Sequence, residues 1–195
     1  MANDFRSARF WARELIENAL FEGARAVDAT MGNGHDTQWL CELVGESGCV
    51  YAFDVQQDAV DRTEERLEKA GVRNRARLFC VGHQHMAEYV AETADAIVFN
   101  LGWLPGAEHG VTTQTETTLA AVNAALELLK EDGVMTICVY PGHDEGMREL
   151  HALLEWARNL DERRYDAMLK AYLNQSNDPP QLIAIRKKLT KKPKT

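Results

Sequence analysis

The sequence predicts an α/β fold built on a doubly wound sheet of seven strands. Two observations indicate it: short apolar runs alternate with stretches of helical periodicity, and the last two apolar runs are separated by too few residues for a helix. Alternation of this kind produces βαβ units, which form a parallel sheet covered on both faces. The final two strands, over 164–174 and 181–188, should form an antiparallel hairpin at the sheet edge.

The elements follow one another in a regular order. An amphipathic helix is expected over about residues 5–20, because Trp11, Leu15 and Ile16 recur with other apolar residues at helical spacing. Five strands are predicted next, over 24–30, 48–55, 76–82, 94–102 and 133–140. The helices between and after them are predicted over 37–44, 58–71 and 85–92, from near Thr115 to Leu129, and over 147–157.

Length and hydrophobic content limit the organisation of the chain. With 195 residues, 45% of them hydrophobic, it can form one sizeable core, so we expect a single domain over 1–195. No apolar run approaches the roughly 20 residues that cross a bilayer, and the charged N-terminus is unlike a signal sequence. A cytoplasmic protein without membrane contact is therefore expected. The basic end, over 189–195, is expected to be disordered.

Charge and cysteine content narrow the function further. The net charge of −8 disfavours a general role in coating nucleic acid, although Arg6, Arg9 and Arg13 recur at helical spacing and the C-terminal end is basic. Either basic patch could also be an ordinary solvated face. The cysteines form no CxxC pair and are expected to be buried free thiols: Cys41, Cys49, Cys80 and Cys138.

A glycine-containing loop follows the first predicted strand and reads "DATMGNGHDT", residues 28–37. Gly32 and Gly34 would let the backbone turn tightly and approach a ligand, while Asp36 or Thr37 is placed to cap the next helix. The loop lacks the GK[ST] of a P-loop and the third small residue of a dinucleotide fingerprint. A phosphate cradle is therefore disfavoured, and a purely structural turn stays open.

The second strand ends at Asp54, 20 residues beyond Gly34 (54 − 34), close to the spacing at which an acid binds a ribose diol. The two features together favour a nucleoside cofactor over an ordinary helix-capping role. Gln56 could contact the same ribose, and Gly82 with His83 could meet the adenine edge. NAD is the main competitor for this pocket. A metal site at the histidines after the third strand is disfavoured, because no third ligand lies at a recognisable spacing.

The fourth strand distinguishes these cofactors, because it ends in "FNLGWLPG", residues 99–106. With Asn100, Gly102 and Trp103, this stretch looks like a variant of the Asn/Asp-Pro-Pro-aromatic motif by which amino methyltransferases hold a target nitrogen. An amide oxygen can accept a hydrogen bond from an amine, and an aromatic ring can stack on a base. A turn with a packed tryptophan stays open. Polar loops over 109–118, 140–146 (with His143) and 174–180 lie at the same edge and suggest a substrate opening.

Five stretches carry a resemblance to a known family: the loop at 28–37, the end of the fourth strand at 99–106, and the three polar loops. With these stretches in this order, residues from about 5 to 188 closely resemble the bacterial tRNA 5-(aminomethyl)-2-thiouridine methyltransferases (MnmM type), earlier labelled as rRNA methylases. The resemblance implies a class I, Rossmann-like methyltransferase fold with S-adenosylmethionine as its cofactor. It implies methylation of the aminomethyl nitrogen of 5-aminomethyl-2-thiouridine at the tRNA wobble position, giving 5-methylaminomethyl-2-thiouridine. The expected partner is thus the anticodon region of tRNA, and a homodimer is compatible with the family.

The resemblance also assigns roles to individual residues. It implies that Asn100, Gly102 and Trp103 frame the target amine, with His143 nearby as a catalytic candidate. It leaves Glu108 and His109 without a role, since "GAEHGVTT" departs from the usual "GGD" pattern. The implied cofactor contacts come from the loop that begins at Asp28, from the ribose side and from the adenine side: Asp28, Gly32, Asn33, Gly34, Asp36, Asp54, Gln56, Gly82 and His83.

Methylation of an alkyl amine requires its neutral form, yet the reference pKa of such amines is about 10. Desolvation would lower that pKa, and a general base could take the proton. His143, Tyr140 and Asp28 are the candidates for this base, and the sequence does not rank them.

Three other interpretations stay open at this point. The protein could methylate rRNA or a small-molecule amine, or it could be a non-catalytic module that binds a nucleoside. If tRNA is the substrate, Arg6, Arg9, Arg13 and the C-terminal lysines are expected to contact its phosphates.

Overall fold

The computed structural model describes residues 6–102 and 113–190. Helices and strands alternate along these ranges, with short 3₁₀ turns at Arg73–Arg75 and His83–His85. In chain order the elements are α1 Ala8–Ala19, β1 Arg25–Asp28, α2 His35–Val44, β2 Cys49–Asp54, α3 Gln57–Lys69, β3 Ala76–Cys80, α4 Met86–Tyr89, β4 Ala94–Asn100, α5 Thr115–Leu128, β5 Leu129–Val139, α6 Asp144–Arg158, β6 Tyr165–Lys170 and β7 Gln181–Lys187.

The seven strands form one sheet with the order β3-β2-β1-β4-β5-β7-β6, which confirms the predicted doubly wound sheet. Strands β1 to β5 are parallel to one another, while β7 pairs antiparallel with both β5 and β6. The direction of winding reverses between β1 and β4, which makes the carboxyl ends of these strands the switch point of the sheet. Ligands of open α/β sheets bind at this point.

Both faces of the sheet are covered because its strands carry apolar residues on either side. In β4, Ala96 and Val98 pack in a cluster with the helical residues Ile16, Leu40 and Leu67 of α1, α2 and α3. The intervening residues of β4, Ile97 and Phe99, pack on the opposite face with α4, α5 and α6. Strands buried on both sides read as continuous apolar runs, which is why these were recognisable in the sequence.

Helix α1 lies across the sheet and extends toward the carboxyl ends of the strands, where the switch point lies. The hydroxyl of Ser7 accepts a hydrogen bond from the amide of Phe10 (3.3 Å) and caps the helix. Ala8, Ala12 and Ile16 then repeat at every fourth position and are buried, because such residues share one helix face. The exposed side of the helix is left to charged residues, and Arg9 and Arg13 are thereby carried toward the switch point.

Several predicted details need correction. The cap predicted at Asp36 or Thr37 is wrong: α2 begins at His35, after Gly34 in a left-handed conformation (φ 76°), and no side chain caps it. Leu129 begins β5 instead of ending α5.

The C-terminal hairpin is confirmed, but its first strand is shorter than predicted and ends at Lys170, because its side chains are mostly exposed and have no core to extend along. All four cysteines are free thiols, but Cys80 is exposed, so its predicted burial is wrong. The predicted disordered tail falls mainly on 191–195, outside the described residues. No helix within the described ranges has the length and apolar character needed to cross a membrane.

Candidate cofactor and substrate site

A cavity of about 690 Å³ lies at the carboxyl ends of the parallel strands. Its volume falls in the range of pockets that enclose a ligand of drug or cofactor size. Residues from the loops after β1, β2, β3, β4, β5 and β6 line it, together with Arg9 from α1. Of the residues selected from the sequence, those that line the cavity are Gly32, Asn33, Asp36, Asp54, Gln56, Gly82, His83, Asn100, Gly102 and His143.

Two selected residues do not line the cavity, and both have structural partners beneath it. Gly34 adopts a left-handed conformation, and a Cβ there would lie 2.7 Å from Thr63 Oγ1, so the position packs the loop against α3. Asp28 is fully buried. Trp103 lies outside the described residues, as do Glu108 and His109, the two positions without an expected role.

Asp54 links the cofactor loop to the second strand. Its carboxylate accepts hydrogen bonds from the backbone amides of Gly32 and Gln56, each over 3.0 Å. A carboxylate offers about four acceptor positions, so Asp54 can accept two further hydrogen bonds from the cavity. Vicinal hydroxyl groups of a ribose have the donor chemistry that such an acceptor requires.

The opposite wall of the cavity contains a neutral imidazole. His83 is 8% exposed, and its burial lowers its pKa to about 4. Its Nδ1 atom lies 3.3 Å from the carbonyl oxygen of Ala29, which requires the proton on Nδ1 and leaves Nε2 as an acceptor. This group suits the amino edge of a purine. The neighbouring His85 pairs with Glu88 instead, and within 6–102 and 113–190 no group of three potential ligands could hold a metal ion.

Asp36 connects helix α1 to the end of the fourth strand. Its Oδ1 atom accepts hydrogen bonds from Arg9 (2.8 Å) and Arg13 (2.7 Å). Its Oδ2 atom accepts one from the Asn100 side-chain amide over 2.6 Å. Burial alone would raise the pKa of Asp36, but the hydrogen bonds and charges of the two guanidiniums outweigh it, and the pKa is lowered. Asp36 is therefore an anion at neutral pH.

The contact with Asp36 determines the orientation of Asn100. Because a carboxylate accepts only, the NH₂ group of Asn100 must point to Asp36 and its Oδ1 atom must point away. The backbone amide of Asn100 donates to Thr30 Oγ1 over 2.7 Å, which holds the residue from a second side. Asn100 Oδ1 is buried and has no hydrogen-bond partner among residues 6–102 and 113–190. A buried acceptor of this kind costs free energy unless a ligand or another group supplies a donor.

Gly102 and Thr113, on either side of 103–112, are joined by a cluster of polar groups that was not predicted from the sequence. Gly102 and Thr113 exchange two hydrogen bonds: the Gly102 amide donates to Thr113 Oγ1 (3.0 Å), and the Thr113 amide donates to the Gly102 carbonyl (3.1 Å). The Thr113 hydroxyl then donates to Glu149 of α6 over 2.8 Å, and Thr118 donates to the other oxygen of Glu149 over 2.6 Å. Glu149 is 1% exposed. This clasp (Gly102, Thr113, Thr118 and Glu149) joins Gly102, two residues after Asn100, to α5 and α6.

Each of the three general-base candidates has a raised pKa or a structural contact of its own. Asp28 is buried below the cavity, where burial, followed by the charge of Asp36, raises its pKa to about 7; it accepts from Thr37 Oγ1 over 2.7 Å and from the amide of Thr30. Burial also raises the pKa of Tyr140, so this phenol stays protonated at neutral pH.

His143, the third candidate, caps helix α6. Its Nδ1 atom accepts a hydrogen bond from the Gly146 amide over 3.1 Å. The neutral ring therefore carries its proton on Nε2, and that atom is a donor. A Cβ at Gly146 would lie 2.1 Å from the Tyr140 carbonyl oxygen and 2.9 Å from His143 Nε2, so the backbone and the ring both require glycine there. The Nδ1 atom of His143 is therefore occupied by the helix cap.

The residues present fit an adenosyl cofactor. Asp54 supplies acceptors for hydroxyl groups, His83 supplies an acceptor for an exocyclic amine, and Gly32 (φ 52°) lets the loop backbone line the cavity between them.

Two features of the site were not predicted from the sequence: the pairing of Arg9 and Arg13 with Asp36, and the role of Glu149. The i, i+4 spacing of the two arginines was a signal for a shared partner, but nothing in the sequence identified that partner as Asp36.

Comparisons with known proteins identify the family of the chain. Residues 50–186 match the family model described as "Putative rRNA methylase". Among curated proteins, the chain is similar to the chloroplastic tRNA (mnm(5)s(2)U34)-methyltransferase of Arabidopsis thaliana, with 38% identity over 159 residues. That alignment covers 76% of this chain and 58% of the Arabidopsis protein, so the chain spans little more than half the length of this relative.

Two solved structures have nearly the same fold over their whole length. One is described as a "putative rRNA-methylase" from Clostridium thermocellum, with a TM-score of 0.92, 37% identity, and coverage of 94% of this chain and 98% of that one. The other is described as "a putative methyltransferase" from Streptococcus mutans in complex with SAH, with a TM-score of 0.86, 38% identity, and coverage of 94% and 99%. The fold predicted from the sequence is thereby confirmed as that of class I methyltransferases.

Proposed function

The chain belongs to the family of methyltransferases described as putative rRNA methylases, and on this premise we propose that it methylates 5-aminomethyl-2-thiouridine at the wobble position of tRNA. The methyl group goes from S-adenosylmethionine to the aminomethyl nitrogen, and the product is 5-methylaminomethyl-2-thiouridine. The observation that carries this proposal is the buried, fixed acceptor Asn100 Oδ1 beside the cavity. The printed name of the Arabidopsis relative supports the choice of substrate.

The cofactor is S-adenosylmethionine, since the family is one of methyltransferases and the related Streptococcus mutans structure contains SAH. When bound, it supplies an electrophilic methyl group on a sulfonium that leaves as a neutral thioether. In our proposal, Asp54 binds the ribose hydroxyls and His83 Nε2 accepts from the adenine amine. Gly32 and Asn33 line the path between the ribose and the reacting end.

The amine is oriented by the chain's own hydrogen bonds. Asn100 Oδ1 accepts an N–H of the substrate amine, because its own NH₂ group is held by Asp36. An amine that donates in one direction presents its lone pair in another, and a fixed acceptor restricts that direction. Positioning of this kind is the main contribution that an enzyme makes to a simple displacement.

The neutral form of the amine is favoured by its surroundings. Asp36, which binds Asn100, carries one negative charge, but Arg9 and Arg13 both pair with it, so this cluster beside the place where the amine binds carries a net positive charge. Burial and a neighbouring cation both lower the pKa of an amine. In this proposal the amine enters neutral, one nitrogen–carbon bond forms, and the proton that the new ammonium carries is lost to water. No side-chain base is needed for this sequence of events.

The test is methyl transfer from labelled S-adenosylmethionine to three acceptors: tRNA that carries 5-aminomethyl-2-thiouridine, rRNA, and a free alkyl amine. The proposal predicts that label enters the tRNA alone. Label in the rRNA or in the free amine, and none in the tRNA, would assign the protein to one of the other two substrate classes. Binding of the cofactor without transfer to any acceptor would indicate a nucleoside-binding module.

A further inference from the structure

A second concave surface lies beside the cofactor cavity, between α2 and α3. We call it the basic groove; it has a volume of about 500 Å³ and is formed mainly by Asn33, His35, Gln38, Arg62, Arg66 and Lys69. Asn33 and His35 line both the groove and the cofactor cavity. The groove is therefore continuous with the site, and a ligand bound there would lie against the outer side of the cofactor loop.

The two arginines of the groove form their hydrogen bonds with uncharged groups. Arg62 donates to the side-chain oxygen of Asn33 (3.3 Å), and Arg66 donates to its carbonyl oxygen (2.7 Å) and contacts His35. Across the described residues, no carboxylate forms an ion pair with either arginine, whereas Arg9 and Arg13 share Asp36 and Arg73 pairs with Glu64.

The acid that lines the groove does not compensate these two charges. Glu65 forms an ion pair with Lys69, which lies one helical turn further along α3. The lysine remains 72% exposed and can turn to a ligand. Burial, followed by the charge of Arg66, lowers the pKa of His35, which is therefore neutral. In a chain with a net charge of −8, a locally cationic concave surface beside the site needs an explanation.

We propose that the basic groove binds the phosphodiester backbone of the RNA substrate next to the nucleotide that enters the cavity. This proposal rests on the proposed function, since it supplies that substrate's second contact. Guanidinium groups bind phosphate oxygens through several N–H donors, and each arginine uses only part of its donors within the chain. Concentrating cations beside the site lets an acidic protein attract RNA in one orientation only.

The alternative is that the arginines only brace the cofactor loop through Asn33, and cofactor affinity separates the two explanations. Lys69 makes no contact with that loop, and its charge reversal therefore tests the groove without disturbing the cofactor. The matched control is the charge reversal Arg163→Glu, at an exposed position in the connection before β6, at the opposite edge of the sheet.

The experiment measures the affinity of the full chain for undermodified tRNA at several salt concentrations, and its affinity for S-adenosylmethionine. We expect Lys69→Glu and Arg62→Glu each to weaken tRNA binding about tenfold and to lower the salt slope by about one. Cofactor affinity should stay within about threefold of wild type, and Arg163→Glu should match wild type throughout. The neutral variants Arg62→Gln and Lys69→Gln should show smaller effects in the same direction.

Two results would overturn the inference: tRNA affinity and salt slope equal to those of the control, or a loss of tRNA binding that only follows a loss of cofactor binding. Neither result touches the proposed function if wild type still methylates tRNA. Conversely, if wild type binds tRNA through the groove but transfers no methyl group, the groove stands and the proposed function falls.

Discussion

The side-chain amide of Asn100 donates to Asp36 Oδ2 over 2.6 Å, and Asp36 in turn holds Arg9 and Arg13 of the first helix. This chain of contacts joins the N-terminal helix, the cofactor loop and the end of the fourth strand. It also decides which atom of Asn100 is free for a ligand. The proposed chemistry depends on this orientation more than on any acid or base in the cavity.

Replacing Asn100 should therefore affect catalysis much more than cofactor binding. We expect Asn100→Ala to lower kcat/KM for tRNA about 100-fold or more, because the amine loses the acceptor that orients it. Asn100→Asp should lose at least as much, since a second carboxylate would face Asp36. Steady-state kinetics with calorimetric titration of S-adenosylmethionine measures both effects. Asn18→Ala, on the exposed side of α1, is the control; equal activities of the two alanine variants would refute the assignment.

The clasp around Glu149 should act as a positioning device for the loop that follows Asn100. Thr113→Val keeps the shape of the side chain but leaves the Gly102 amide and one Glu149 oxygen without their partner, at a cost of about 1–3 kcal/mol. We expect kcat to fall about tenfold or more with little change in cofactor affinity, and Thr113→Ser to retain most of the activity. If the valine and serine variants have the same kcat, the hydroxyl has no positioning role.

Asp54 should determine cofactor affinity. Asp54→Ala removes the acceptor of two loop amides and the proposed ribose contact, and we expect affinity for S-adenosylmethionine to fall about 10- to 100-fold by isothermal titration calorimetry. Asp58→Ala, an exposed acid in the first turn of α3, is the matched control. Unchanged cofactor binding by Asp54→Ala would remove Asp54 from the site.

The pH dependence of stability should report the buried Asp28. Its pKa is raised from 3.8 to about 7, so the folded state binds a proton that the unfolded state has lost between these values. The free energy of unfolding should therefore decline as the pH rises from about 4 through 7. Asp28→Asn mimics the protonated form and should gain stability relative to wild type between pH 5 and pH 8. Denaturant titrations of both proteins at pH 5 and pH 8 measure the free energy of unfolding. The same difference between the variant and wild type at both pH values would contradict the prediction.

Most of the fold followed from patterns that are local in the sequence. Continuous apolar runs such as 96–99 indicated strands buried on both faces, and the short connection before β7 indicated the hairpin. The wrong predictions concern the ends of helices and strands. There, a side chain can form its hydrogen bond with a residue that is distant in the sequence. Thr37 was predicted as a cap, but its hydroxyl donates to Asp28 below the loop.

The sequence predicted which loops lie together at one cavity, but it did not predict the hydrogen bonds and ion pairs between their side chains. Ten selected residues line one cavity, although their contacts with cofactor and substrate stay predictions. The contact of Arg9 and Arg13 with tRNA phosphates stays a prediction. Their pairing with Asp36 could not be predicted, because a cation on an exposed helix face has no visible partner until the fold places Asp36 beside it. Glu149 read as one more charge on a helix, since only tertiary structure shows that it is buried under Thr113 and Thr118.

The most direct test of the central claim is nucleoside mass spectrometry of tRNA that carries 5-aminomethyl-2-thiouridine, after incubation with the protein and S-adenosylmethionine. The account predicts that this nucleoside disappears and that 5-methylaminomethyl-2-thiouridine takes its place, with wild type but not with Asn100→Ala. Persistence of the unmethylated nucleoside, with a wild-type protein that demonstrably binds the cofactor, would contradict it.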